Sequence, residues 1–112
     1  MQQGCGLQIP GAPQRLTGRV TRFVSGEEAL TLTNAVEAQL GAKISPAYLS
    51  LKRVRVEASG ENRNWWTIAA VPEDMPVKVG DLVELNSRYR DPELPCQFIP
   101  WTIYRLLDQG GQ

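Results

Sequence analysis

Short segments in which apolar and polar residues alternate follow one another along most of the chain, with turn residues between them. In the stretch 16–24, for example, Val20 and Val24 share one face and Phe23 lies on the other, as in a strand. The same pattern predicts strands over 16–24, 29–33, 48–57, 65–71, 77–85 and 97–107, with a turn inside 77–85. Small spacings between antiparallel strands favour a closed or nearly closed barrel.

Two of these segments carry an irregularity. In 48–57 the apolar side changes from odd-numbered to even-numbered residues between Leu51 and Val54, which predicts a β-bulge or a bent barrel strand. In 97–107 the ring of Pro100 removes a backbone donor, so this position is expected at a sheet edge or a bulge.

The region 27–40 fits two structures. In the first, 29–33 forms a strand that pairs with 16–24, and a short helix follows from a capping box at 34–37. In the second, a single helix runs from Glu27 to Leu40, with Ser25 placed to cap it. Two threonines, which lose side-chain freedom in a helix, favour the first structure. In both, Gly41 is expected to end the helix.

The stretch 77–85 resembles a motif common in small barrels of the OB-like and SH3-like kinds, in which a Gly-Asp turn precedes an alternating strand. Gly80 permits the tight turn, and Asp81 can bond its own backbone. The predicted fold is therefore mainly β: a small antiparallel, OB-like barrel of about six strands with one short helix, a small sandwich being the alternative. The expected core residues are Val20, Val54, Val56, Ile68, Val83, Leu85 and Ile103.

The length and the charge of the chain limit the number of domains and exclude some classes of function. The 112 residues suffice for one domain, predicted as a flexible tether over 1–14, a barrel over 15–107 and a mobile tail over 108–112. Twelve basic residues balance twelve acidic ones, and the mean hydropathy is −0.28. A general DNA-binding protein would carry a basic excess, and a membrane-spanning helix would need a long apolar run. The sequence has neither.

The N-terminal residues Gly4-Cys5-Gly6-Leu7 resemble the junction at which bacterial lipoproteins are cleaved and lipidated on cysteine. In that family a small residue precedes the cysteine, as Gly4 does, and an apolar residue stands three positions before it, where this chain has Gln2. The resemblance implies lipidation of Cys5 and a protein held at the cell envelope only through its lipid. The alternative is a cytoplasmic protein with a frayed N-terminus.

The second cysteine, Cys96, is far from Cys5 in sequence. A disulfide between them would close a long loop and stabilise the fold by roughly 4–5 kcal/mol in the chain-entropy model. Two unrelated thiols are the other possibility. A zinc site is excluded, since the chain has no histidine and no CxxC motif.

Arginines and aromatic residues on neighbouring strands are the main candidates for ligand contacts, because arginine binds anions and stacks on rings. This mixture is used by OB-type barrels that bind single strands, although the same contacts also occur as ordinary surface packing. The candidate binding residues are Arg53, Arg55, Trp65, Trp66, Arg88, Tyr89, Arg90 and Trp101.

Catalysis has little support in the sequence. The usual general base, histidine, is absent, and the acidic pairs at 27–28, 73–74 and 91/93 fall in predicted turns. No nucleotide-binding, metal-binding or other cofactor motif occurs. We therefore expect a non-catalytic binding module of the cell envelope with a protein or cell-wall partner. A cytoplasmic protein that binds single-stranded nucleic acid is the alternative, and a small hydrolase or metal enzyme ranks last.

Overall fold

The computed structural model describes residues 9–59 and 64–108. These residues form one α-helix, α1 (Gly26–Leu40), and one turn of 3-10 helix at Pro46–Tyr48. The strands are β1 (Arg15–Val24), β2 (Lys43–Ile44), β3 (Lys52–Ala58), β4 (Trp66–Val71), β5 (Leu82–Asn86), β6 (Tyr89–Arg90), β7 (Gln97–Ile99) and β8 (Thr102–Asp108).

Five strands close into a barrel in the order β1-β3-β4-β8-β5, with β5 pairing back onto β1. The neighbours are antiparallel except for β4 and β8, which run parallel. The three shortest strands make a second sheet in the order β2-β7-β6. The prediction of a mainly β domain with a small barrel and one helix is confirmed.

The barrel interior is filled by side chains from all five barrel strands, because every second residue along a strand faces inwards. Six of the seven expected core residues are buried there, together with Ala69, Val71 and Val77. The seventh, Ile68, is only partly buried. It pairs across the sheet with Arg55 and so lies on the outer face of β4. Strand alternation therefore identified the core, and Ile68 was assigned to the wrong face.

The β-bulge of the barrel wall lies in β1 and not in β3. The pairing of β1 with β3 shifts register between Val20 and Arg22, so Thr21 is the extra residue of a bulge. The β3–β4 pairing is regular from Lys52 onwards. Of the two alternatives predicted for 48–57, the β-bulge is therefore wrong within β3, and the phase change arises because Leu51 precedes the strand.

The Gly-Asp turn before β5 has the predicted structure. Gly80 adopts a left-handed conformation with φ of 98°, which favours glycine. The backbone N–H of Lys78 donates to the carboxylate of the fully buried Asp81 at 2.8 Å. The N–H of Gly80 donates to Val20 O, and the N–H of Val20 donates to Asp81 O, so the turn is hydrogen-bonded to the bulged part of β1.

The region 27–40 is a single helix, so the predicted strand at 29–33 is wrong. The Ser25 hydroxyl accepts a hydrogen bond from the N–H of Glu28, and Gly41, with φ of 68°, ends the helix as expected. Thr31 donates its hydroxyl proton to Glu27 O. Threonine in a helix costs up to about 0.7 kcal/mol per residue, and an N-cap contributes about 1 kcal/mol, so the cap offsets most of the cost of the two threonines.

The proline-rich segment before β1 contacts the domain from Ile9 onwards. Ile9 packs against Ile44 and Phe98, the core of the small sheet. Pro10 O accepts a hydrogen bond from the N–H of Arg90, at 2.9 Å. Residues 9–14 therefore do not have the separate, unpacked structure expected of a tether. Among the described residues, no helix is both long and apolar enough to cross a membrane.

Candidate functional site

A groove separates α1 from the outer face of β3 and β4, and it encloses a cavity of about 260 Å³. We call it the α1 groove. Its lining is mostly apolar and comes from α1, β2, β3, β4 and the connection between β5 and β8. The lining residues are Ala29, Leu32, Thr33, Val36, Gln39, Ile44, Arg53, Trp66, Thr67, Ile68, Arg88, Pro100 and Trp101.

The helix stands over the sheet without packing tightly on it. None of the fifteen residues of α1, all of them described, is buried. Its more covered positions recur at helical spacing and include Ala29, Leu32 and Val36, which face the groove, whereas Leu30 is 63 % exposed. An apolar helix face left half-covered is available to a further apolar surface.

Contacts near both ends of the helix hold it in place. Arg22 on β1 donates from both terminal nitrogens to the carboxylate of Glu28, at 3.0 and 2.9 Å. This hydrogen bonding lowers the pKa of Glu28. Near the other end, the carboxylate of Glu37 accepts from the N–H of Ile44 at 3.1 Å and lies 3.6 Å from the Lys43 ammonium. The groove is therefore open between two attached ends.

Arg53 lies deepest among the charged residues of the groove. It stands on the outer face of β3, opposite Ala70, and is only 6 % exposed. Its guanidinium donates one hydrogen bond, at 2.6 Å, to the carbonyl of Leu51. Burial lowers the pKa of Arg53.

Arg88 and Trp101 lie at the same level of the barrel as Arg53. The N–H of Ala70 donates to Trp101 O at 2.8 Å, which joins β4 to the connection that carries Trp101. Arg88 follows β5 by two residues and is partly buried, and burial lowers its pKa. The Trp101 side chain also packs against the barrel core.

Trp66 marks the other end of the groove. It lies four residues before Ala70 on β4, about 13 Å away along the strand. The residue is 55 % exposed, and the guanidinium of Arg55 stacks on its ring with Cζ 4.1 Å from the ring centroid. Arg55 also donates to the carboxylate of Glu57 at 3.1 Å. Trp66 is thus an accessible aromatic surface that the Arg55 guanidinium contacts.

The structure brings only some of the predicted binding residues together. The groove is lined by Arg53, Trp66, Arg88 and Trp101. Outside the lining, the guanidinium of Arg55 stacks on the ring of Trp66. Trp65 instead packs against the barrel core. Tyr89 and Arg90 belong to β6 of the small sheet, where Arg90 donates to Pro95 O. Cys5, the predicted lipidation site, lies outside the described residues.

Sequence reasoning missed the helical wall of the groove. Ala29, Leu32 and Val36 stand at spacings of three and four, and the alternative single-helix structure contained that signal. Because the sequence favoured a strand at 29–33, the helix face that forms this wall was not predicted. The sheet wall was missed at Ile68 for a related reason, because an apolar residue on a strand was assumed to face inwards.

The connection between β6 and β7 is organised by Asp91. Its carboxylate accepts hydrogen bonds from the Ser45 hydroxyl and from the N–H groups of Glu93 and Leu94. The Ser45 bond is the main cause of the lowered pKa of Asp91. This connection carries Cys96, which is exposed and disulfide-bonded. The described residues contain no cluster of three or more potential metal ligands.

Comparison with known proteins adds no family to this description. No protein-family model matches the chain, and no curated protein or solved structure is significantly similar to it.

Proposed function

We propose that this protein is a non-catalytic binding module whose α1 groove takes a segment of a partner protein. The observation that carries the proposal is the open cavity between a helix with no buried residue and the outer face of β3–β4. Apolar lining with a few polar groups at defined positions is typical of a binding cleft.

The position of the groove supports an OB-like classification of the barrel. In OB folds, ligands contact the face of the second and third barrel strands and the connections between strands one and two and between four and five. Here β3 and β4 are the second and third barrel strands. The first connection contains α1, and the last contains Arg88 and Trp101.

A protein partner accounts for the groove better than a nucleic acid does. Leu32, Val36, Ile44 and Ile68 offer aliphatic surface, which complements apolar side chains, and the chain has no net charge. Single-stranded nucleic acid remains the second candidate. It is favoured by the accessible ring of Trp66 and by the arginines near Trp101, which suit stacked bases and phosphates.

We also propose that the protein acts at the cell envelope. The disulfide at Cys96 supports this location, because such bonds persist mainly in oxidising compartments. The lipid anchor proposed on Cys5 and a disulfide within the chain would use the same sulfur, since the chain has two cysteines. The intact mass of the product from its native host distinguishes them: a lipid-sized increase supports the anchor, and an unmodified, bridged chain contradicts it.

Photo-crosslinking in the native host tests the binding function. A benzophenone amino acid replaces Leu32, which lines the groove, and in a matched variant it replaces Leu30, which is 63 % exposed on the same helix. We expect a protein adduct from position 32 and little from position 30. Equal adducts at both positions, or none at 32, would contradict the proposal. An adduct at 32 that nuclease removes would instead support the nucleic-acid alternative.

A further inference from the structure

The two arginines of the α1 groove, Arg53 and Arg88, combine partial or full burial with the absence of an acidic partner among the described residues. The ion pairs between described residues are Arg22–Glu28, Lys43–Glu37, Arg55–Glu57 and Arg105–Glu84. Arg53 and Arg88 are in none of them. Among the described residues, Arg53 donates only to the carbonyl of Leu51, and the Arg88 guanidinium donates to none.

These two guanidinium groups are also among the less solvated ones of the described chain. Arg53 is 6 % exposed, Arg88 is partly buried, and burial lowers the pKa of both. Arginine nevertheless remains protonated in proteins, so each carries its charge into the groove. A desolvated charge without a counter-ion costs free energy, and a bound anion removes that cost.

The pairing of the strands places both arginines at one end of the groove. Arg53 pairs with Ala70, Ala70 with Thr102, and Thr102 with Asn86, two residues before Arg88. One row across the barrel thus runs from Arg53 to within two residues of Arg88, and both arginines line the same groove, whereas Trp66 lies at the far end of β4. The groove therefore has one end with Arg53 and Arg88 and another end with the exposed ring of Trp66.

We propose that the α1 groove selects an extended peptide segment in which an acidic side chain lies among apolar ones, the carboxylate binding between Arg53 and Arg88. This inference rests on the proposed function and names the partner's chemistry. Apolar side chains of the segment pack between α1 and β4. The aliphatic lining there suits apolar side chains better than it suits nucleic-acid bases. A carboxylate on an arginine forms paired, charge-assisted hydrogen bonds, which fix the register of the segment.

The test uses two pools of hexapeptides, blocked at both ends, with mixed apolar residues around one central position. That position is glutamate in one pool and glutamine in the other, so the pools differ in charge and hardly in shape. Binding to the full chain is followed by the indole N–H signals in NMR spectra. Trp66 and Trp101 report on the groove, and Trp65, packed against the core, reports on the fold.

We expect the glutamate pool to shift the Trp66 and Trp101 signals at concentrations at least tenfold lower than the glutamine pool. Arg88→Ala should abolish this preference, so that the two pools shift the signals at the same concentrations. Arg105→Ala, which removes an arginine already paired with Glu84, is the matched control and should keep the preference. An unshifted Trp65 signal confirms that each variant is folded, and Arg88→Gln replaces any variant that is not.

The possible failures are distinguishable. Equal shifts by both pools would overturn the acidic preference and leave the groove as a peptide site. No shift by either pool at millimolar concentration would overturn both proposals. A third arm uses a short oligothymidine: shifts at lower concentrations than the glutamate pool requires would assign the arginines to phosphates and overturn the inference. Preference for an apolar pool with a free C-terminal carboxylate over the internal glutamate would likewise overturn it.

Discussion

At the scale of the residue, Gly18 shows how closely the barrel wall is packed. A Cβ added there would lie 2.6 Å from the carbonyl oxygen of Glu57 and 2.6 Å from a methyl group of Val56. It would also meet the ring of Trp65 at 3.0 Å. The backbone of β3 and a core tryptophan therefore occupy the space that any side chain at position 18 would need.

Gly18→Ala is expected to destabilise the protein by about 1–3 kcal/mol, since an overpacked core forces its neighbours to shift. Denaturant unfolding followed by tryptophan fluorescence measures the free-energy change. Gly26→Ala is the matched control, because nothing lies within 4 Å of a Cβ there and alanine favours a helix. Equal losses in the two variants would contradict the packing at Gly18.

Residue patterns predicted the inside of the barrel better than its outside. Val54 and Val56 alternate with arginines, which gives a strand one unambiguous inner face. In the groove, Ile68 and Trp66 lie on the outer face of β4. The strand pattern does not show which element of the protein packs against an apolar residue on that face. The candidate arginines were found from their chemistry, but the desolvation of Arg53 depends on covering elements distant in sequence.

At the scale of the element, α1 depends on its ends. Its start is set by the Ser25 cap and the Arg22–Glu28 ion pair, and its end by Gly41. Its sequence left two structures open because threonines suit strands and the apolar spacing suits a helix. The Ser25 cap, which favours the helix, lies outside the ambiguous segment, and a propensity argument confined to 29–33 could not include it.

Ser25→Ala is expected to weaken the helix by about 1 kcal/mol, because the N–H of Glu28 loses its acceptor. Far-UV circular dichroism during thermal unfolding should show helical signal declining at a lower temperature than in the wild type. Ser50→Ala changes an exposed serine outside the helix and serves as the control. A loss no larger than that of the control would contradict the capping role of Ser25.

At the scale of the whole molecule, the barrel and the small sheet are joined through long-range connections. The described part of the N-terminal segment pairs with the β5–β6 region, since the N–H of Ser87 donates to Gln14 O and that of Arg90 to Pro10 O. The sequence predicted a barrel of about the right strand content. It did not predict this attachment, because a proline-rich segment has no periodicity from which a docking partner can be identified.

Reduction of a disulfide that joins Cys96 to Cys5 is expected to lower the stability of the whole domain by roughly 4–5 kcal/mol, through the greater freedom of the unfolded chain. Thermal unfolding with and without a phosphine reductant measures the change. In a Cys96→Ser variant the reductant should have no effect. An identical unfolding temperature in both conditions for the wild-type protein would show that Cys96 does not hold the fold together.

The incomplete burial of α1 has a consequence for the time scales on which the molecule moves. Amide protons of a helix that is fastened mainly near its ends exchange with solvent through local opening, whereas those of a barrel strand such as β3 require nearly global unfolding. Deuterium should therefore enter α1 well before it enters β3. A segment bound in the groove would slow exchange selectively in the helix. Occupancy of the groove could therefore be measured as a longer time before the amide protons of α1 exchange with solvent.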